Sequence, residues 1–263
     1  MKRPIITLLT DFGTRDHYVA SMKGVILGIN PRCSLIDITH EVRPQDIEEG
    51  AFILANTFSY FPKGTIHVAV VDPGVGGPRK PVLLVTRNYF FLGPDNGLLS
   101  LAAEADTVKQ AIELTNPKFF LPRISATFHG RDIFAPVAAH LTLGIRPGVL
   151  GPKLESWVKL DLGEPVATGS GLTGKVFYID AFGNVITNIR EHQLLQFSRG
   201  RSLVIRAGTR SIRGLKKGYC EGRKGSLMAL VGSGGFLEIS VREGSAQKTL
   251  RMRRGDKIKV VTD

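Results

Sequence analysis

The feature that most limits the fold is a change of hydrophobic rhythm near residue 150. Before it, strand-sized apolar runs alternate with stretches whose apolar residues recur at helical spacing. Residues 5–9 read as a strand ending in Thr10-Asp11, and residues 15–29 as a helix with Val19, Met22, Val25, Ile26 and Ile29 on one face. A second strand at 35–38 precedes a second helix at 47–58, where Phe52, Ala55 and Phe58 share a side. Strands at 65–71, 82–86 and 88–92 follow, the last closed by the turn Gly93-Pro94-Asp95-Asn96-Gly97. Residues 132–143 read as a late helix capped by Asp132 and stopped by Gly144 and Pro147. This alternation predicts an α/β domain with a largely parallel sheet over residues 1–150. The Gly/Pro-rich stretch 151–173 reads as a linker. Short strands at 175–179, 202–205, 226–231, 236–241 and 257–261 then predict a smaller, all-β, barrel-like domain over 174–263.

Several function classes drop out on composition. Apolar runs such as 68–71 and 82–85 are strand-sized and fall far short of the roughly 20 residues a membrane helix needs. Asp11 comes too early to leave room for a signal-peptide core, so a soluble, unexported, cytoplasmic protein is expected. Cys33 and Cys220 are too few for a disulfide framework, and no histidine–carboxylate cluster suggests a metal. The net charge of +12 is uneven. Residues 1–150 carry 15 basic and 13 acidic side chains, which leaves 20 basic against 10 acidic beyond. A basic second half attracts anions, yet its charges are scattered and no nucleic-acid signature accompanies them, so a solvated surface is expected.

Ligands of open α/β sheets bind beyond the carboxyl ends of the strands. That rule singles out Thr10-Asp11-Phe12-Gly13 and Asp72-Pro73-Gly74-Val75-Gly76-Gly77-Pro78-Arg79, with the loop Phe128-His129-Gly130-Arg131-Asp132 as a third candidate. A Gly/Pro-rich turn can fold Arg79 back onto Asp72, or Asp72 can cap local amides. His129 fits either a structural or a chemical role. In the second domain, Asp180-Ala181-Phe182-Gly183-Asn184 is either a hairpin turn or a ligand loop. In the latter, Asn184 offers a donor and an acceptor to a base edge and Phe182 lines the pocket. The run from Gly232 to Glu238 leaves backbone exposed between two strands.

Six ordered segments carry a resemblance: Thr10-Asp11-Phe12-Gly13, Asp46-Ile47-Glu48-Glu49-Gly50-Ala51, Val71-Asp72-Pro73-Gly74-Val75-Gly76, Gly93-Pro94-Asp95-Asn96-Gly97, Thr127-Phe128-His129-Gly130-Arg131-Asp132 and Phe182-Gly183-Asn184. Over nearly its whole length the chain resembles the S-adenosylmethionine hydroxide adenosyltransferases, relatives of the fluorinases and chlorinases. The resemblance implies a homotrimer whose substrate lies between the N-terminal domain of one subunit and the C-terminal domain of the next. It gives Asp72, Arg79 and His129 the task of positioning and activating water. It assigns Asp11 to the ribose hydroxyls, Asn184 and the backbone near Ala246 to adenine, and Asp180, Ser233 and Glu238 to the methionine end. Gly232-Ser233-Gly234 departs from the more usual Asn-Ser pair. The halogenating relatives carry tyrosine in place of Asp72 and serine in place of Gly130, so water rather than halide is the expected nucleophile. The implied reaction cleaves S-adenosylmethionine, or its R-sulfonium epimer, to adenosine and methionine without metal or cofactor. Two other readings remain: a halide-using adenosyl transferase, and a non-catalytic nucleoside- or RNA-binding protein.

Overall fold

The structure, a computed structural model, describes residues 3–263. These divide into two compact units, one running to Leu160 and the other from Asp161 to Asp263.

The first unit follows the order β1 (Ile5–Thr10), α1 (Tyr18–Ile29), β2 (Ser34–Thr39), α2 (Ile47–Ala55), β3 (Ile66–Val70), β4 (Pro81–Thr86), β5 (Phe90–Pro94), α3 (Ser100–Ala105), β6 (Val108–Glu113), α4 (Ala135–Thr142) and β7 (Lys153–Leu154). Its sheet runs β2-β1-β3-β5-β4-β6-β7. β1, β2, β3 and β5 pair in parallel, and two successive antiparallel pairings return β6 to their direction. Only β4 and β7 oppose the rest, so the sheet is largely parallel, as the alternating pattern predicts.

Alternating side chains split the core across two faces. Ile6 and Leu8 pack with Met22 and Ile26 of α1 and Val137 and Ala138 of α4. Leu9 and Ala69 pack on the other side with Leu54 of α2 and Ala102 of α3. The chain leaves β1 through α1 to one flank and returns through α2 to the other. That makes the gap between β1 and β3 the topological switch point, where such sheets bind ligands.

Two expectations change here. Asp132 does not cap the late helix: a π-helical turn over Gly130–Phe134 precedes α4, and Asp132 is fully buried, accepting from Ser125 N at 2.8 Å. α2 stops at Ala55, where the Thr57 hydroxyl bonds the Ile53 carbonyl and a 3₁₀ turn takes over at Phe58–Tyr60. The stretch 151–173 is shared between the units: β7 pairs with β6, and β8 (Val166–Thr168) pairs with the strand that follows it, β9 (Gly171–Ile179).

The second unit adds β9 (Gly171–Ile179), β10 (Val185–Arg190), α5 (Glu191–Ser198), β11 (Leu203–Ala207), β12 (Arg210–Arg213), β13 (Leu227–Val231), β14 (Phe236–Val241), α6 (Ala246–Leu250) and β15 (Lys257–Thr262). The path β12-β11-β15-β9-β10-β14-β13 is antiparallel throughout. Its two end strands approach each other, giving a nearly closed barrel around Val176, Val185, Ile205, Ala229, Leu237 and Val260. Among the described residues no helix is long and apolar enough to cross a membrane.

Candidate active site

Register places the first two candidate loops. Thr10 pairs with Val70 across β1 and β3, so Asp11 and Val71-Asp72 leave adjacent parallel strands side by side. Asn96 Nδ2 donates to the Val71 carbonyl at 2.9 Å and braces that exit, which gives the Gly93-to-Gly97 turn its purpose.

The turn after Asp72 folds Arg79 back. Arg79 Nε donates to Asp72 Oδ1 at 2.9 Å and Nη2 donates to Oδ2, a bidentate pair with both side chains buried, 9% and 4% exposed. Gly76 makes the next contact possible. Its φ is +75°, and a Cβ there would sit 2.2 Å from the Ala126 carbonyl oxygen. The turn thus lies flat against the segment carrying His129. Arg79 Nη2 then reaches His129 Nδ1 at 2.7 Å. The structure therefore brings Asp72, Arg79 and His129 together across 57 residues of sequence.

Charge and proton positions follow from that geometry. Because Nη2 is a donor, His129 Nδ1 must present its lone pair, which leaves the ring proton on Nε2. Burial, and then the Arg79 charge, lower the His129 pKa below its ordinary value of 6.5, against the weaker pull of Asp72 and Asp132. The imidazole is neutral at neutral pH. Arg79 Nη1 is buried with no hydrogen-bond partner among the described residues. A desolvated guanidinium N–H without an acceptor is costly, and a bound oxygen would relieve it. Asp11 accepts from Gln45 N at 2.8 Å, while burial and, more weakly, the Asp72 charge raise its pKa. Phe12, Tyr18 and Phe128 form an aromatic wall beside it, with ring centroids 5.2–5.8 Å apart.

The second unit gathers a separate set. Asp180 Oδ1 accepts from the amides of Phe182 (3.0 Å) and Asn184 (2.8 Å), and Oδ2 from Asn184 Nδ2 (2.8 Å). The turn reading holds: Asp180 builds the turn and orients the buried Asn184 amide, whose Oδ1 remains an acceptor. Gly183 has φ +81°, and a Cβ there would meet Ser245 Oγ at 2.1 Å. Its carbonyl accepts from Gln247 N at 2.9 Å, which holds Asn184 beside Ala246 at the start of α6. Phe182 stands 79% exposed. Glu238 is buried on β14 and accepts from Tyr219 Oη and Ser240 Oγ, both at 2.7 Å, while Ser233 lies exposed in the preceding loop. Burial, then the Glu238 hydrogen bond and the Glu238 and Asp180 charges, push the Tyr219 pKa up. Among the described residues no cluster of histidine, cysteine and carboxylate side chains could hold a metal ion.

Family models for the N-terminal and C-terminal domains of the SAM hydroxide adenosyltransferases match residues 6–151 and 174–259. The chain belongs to this family. A protein of Salinispora arenicola named (R)-S-adenosyl-L-methionine hydrolase is 39% identical, the match covering 98% of this chain and 97% of that one. A fluorinase of Nocardia brasiliensis is 26% identical over 98% of this chain and 97% of its own. A solved structure described as an uncharacterized conserved protein from Thermotoga maritima superposes with a TM-score of 0.90 at 38% identity, covering 97% and 99% of the two chains.

Sequence reasoning missed Tyr219. The residue sits in a one-turn 3₁₀ segment between strands, where no periodicity marks it. It also missed His40, whose ring meets Thr10 Oγ1 at 2.9 Å directly behind Asp11. In both cases the only available signal was a polar ring beside a turn.

Proposed function

We propose that this protein hydrolyses the R-sulfonium epimer of S-adenosylmethionine, releasing adenosine and L-methionine. The convergence of Asp72, Arg79 and His129 around one unpartnered, buried N–H carries the reading. The name of the Salinispora arenicola relative supports both the substrate and its epimer.

Water attacks the ribose C5′ carbon in line with the sulfur. The C5′–S bond breaks with its electron pair remaining on sulfur, which becomes the neutral thioether of methionine. The sulfonium is already a good leaving group, so no general acid, metal or cofactor is called for. The chain must supply a desolvated, aimed water, a contribution of up to about 7–11 kcal/mol in ideal cases. Asp72 accepts the water proton and passes it to solvent. Arg79 Nη1 and His129 Nε2–H hold the oxygen. A carboxylate at this point repels fluoride and chloride, which argues against halide transfer.

Asp11 holds the ribose hydroxyls, Asn184 and the Ala246 backbone read adenine, and Phe182 covers it. Asp180, Ser233 and Glu238 receive the methionine end. In a cytoplasmic homotrimer, Asp11, Asp72, Arg79 and His129 come from the N-terminal domain of one subunit and meet Asp180, Phe182, Asn184, Ser233, Glu238 and Ala246 from the C-terminal domain of the next. Incubation with each sulfonium epimer, with and without chloride or fluoride, followed by chromatography, tests the reading. Adenosine from the R epimer alone, independent of halide, is expected. Absence of adenosine, or a 5′-halogenated nucleoside, refutes it.

A further inference from the structure

Behind the Asp11 turn lies a chain of polar contacts that the hydrolytic mechanism does not use. Lys23 Nζ of α1 donates to Asp37 Oδ2 at 2.6 Å, and Asp37 Oδ1 lies 3.0 Å from His40 Nε2, an electrostatic contact that is not aligned as a hydrogen bond. His40 Nδ1 lies 2.9 Å from Thr10 Oγ1, and Thr10 Oγ1 accepts from Phe12 N at 3.2 Å. His40 is 5% exposed and Thr10 is fully buried.

The proton order in this chain has one consistent direction. A carboxylate beside Nε2 keeps the ring proton there, so Nδ1 accepts. The Thr10 hydroxyl then donates to Nδ1 while taking the Phe12 amide. The same segment grips the turn through its backbone. Gly13 N donates to the His40 carbonyl at 2.7 Å, Val42 N donates to the Thr10 carbonyl at 3.4 Å, and Gln45 N donates to Asp11 Oδ2 at 2.8 Å. Asp11 is thus held on both sides, by the 40–45 segment in front and by the Asp37–His40–Thr10 relay behind.

We infer that Asp37, His40 and Thr10 are positioning residues that aim the Asp11 carboxylate at a ribose diol. The inference rests on the nucleoside reading given above. A short carboxylate fixed at both ends can accept from two vicinal hydroxyls at once, and loses that geometry when the turn relaxes. Selectivity for ribose over 2′-deoxyribose is therefore the property the relay sets.

The test is calorimetric titration of adenosine and of 2′-deoxyadenosine into the full-length protein and into Asp11→Asn, His40→Ala, Thr10→Val and His40→Asn. Circular dichroism and thermal melting confirm that each variant folds, and the near-isosteric Thr10→Val serves if His40→Ala does not. The parent is expected to prefer adenosine roughly tenfold or more, and Asp11→Asn to lose most of that preference. His40→Ala and Thr10→Val should reduce the ratio at least threefold. His40→Asn, whose amide oxygen takes the place of Nδ1, should restore most of it. A purely structural role would lower melting temperature without moving the ratio. Folded His40→Ala or Thr10→Val protein with the parental ratio, beside an Asp11→Asn protein that has lost it, overturns the relay alone. A parent that binds neither nucleoside overturns the nucleoside reading as well.

Discussion

Replacing Asp72 by asparagine tests the site most directly, because shape is kept while charge and basicity are removed. The Asp72 and Arg79 side chains are 4% and 9% exposed, so solvent screens their interaction little. Breaking one partner of such a pair typically costs about 3–5 kcal/mol. Asparagine keeps one oxygen for Arg79 Nε or Nη2, which places the loss near the lower end, about 3 kcal/mol. For a unit of this size, each kcal/mol corresponds to about 2–4 °C, so the melting temperature should fall by roughly 6–12 °C. Turnover should fall about 10²–10⁴-fold with loss of the proton acceptor. Affinity for adenosine should stay within about threefold, since both Asp72 oxygens are engaged by Arg79 and the proposed ribose contact is Asp11. Scanning calorimetry, chromatographic rates and adenosine titration read the three quantities independently. A folded Asp72→Asn protein that releases adenosine at the parental rate refutes the proton-acceptor role. An unchanged melting temperature refutes the energetics assigned to the buried pair.

Two further outcomes follow from the same geometry. Gly76→Ala places a Cβ 2.2 Å from the Ala126 carbonyl at a positive φ, so it should part the Arg79 turn from His129 and cut turnover by about 10²-fold; steady-state rates at wild-type levels would contradict this. His67 is buried among Phe58, Phe61, Tyr89 and Phe91, with Nδ1 2.7 Å from Thr7 Oγ1, and burial lowers its pKa from 6.5 to about 4. Between those values the unfolded chain binds more protons. The stabilisation is therefore complete above pH 6.5 and is lost as pH falls toward 4, by about 3 kcal/mol. His67→Gln should flatten the fall of melting temperature across that window, with His129 and His140 contributing equally to both proteins; parallel curves for parent and variant would exclude His67 as the source.

What the bare chain disclosed, and what it hid, divides along a physical line. Long apolar strands and helices of three turns announce themselves, because burial imposes their period: β1, α1, β3 and β14 all lie where the pattern puts them. Elements of one or two turns, such as α3, α5 and α6, were not read. So few residues carry too little periodicity, and packing rather than propensity forms such helices. The reversal of β4, whose strand at 82–86 the pattern does show, is likewise invisible, because direction is a property of pairing and not of composition.

The same line runs through the site. Asp11 and Asp72 were legible because backbone rules place them: strand ends are where a parallel sheet offers its ligand groups, and a Gly/Pro-rich turn is a recognisable device for returning an arginine. His129 came within reach because it sits in a loop with two charged neighbours. Tyr219 and His40 were not legible because each acts through another side chain, Tyr219 on Glu238 and His40 on Thr10, across 19 and 30 residues. No local pattern encodes a contact of that kind. It exists only once β13 and β14, or β1 and β2, have paired. The residues hardest to find by reading are thus those that hydrogen-bond a candidate group or its neighbour from another element, and variants of them test whether the candidate site is merely present or held in register.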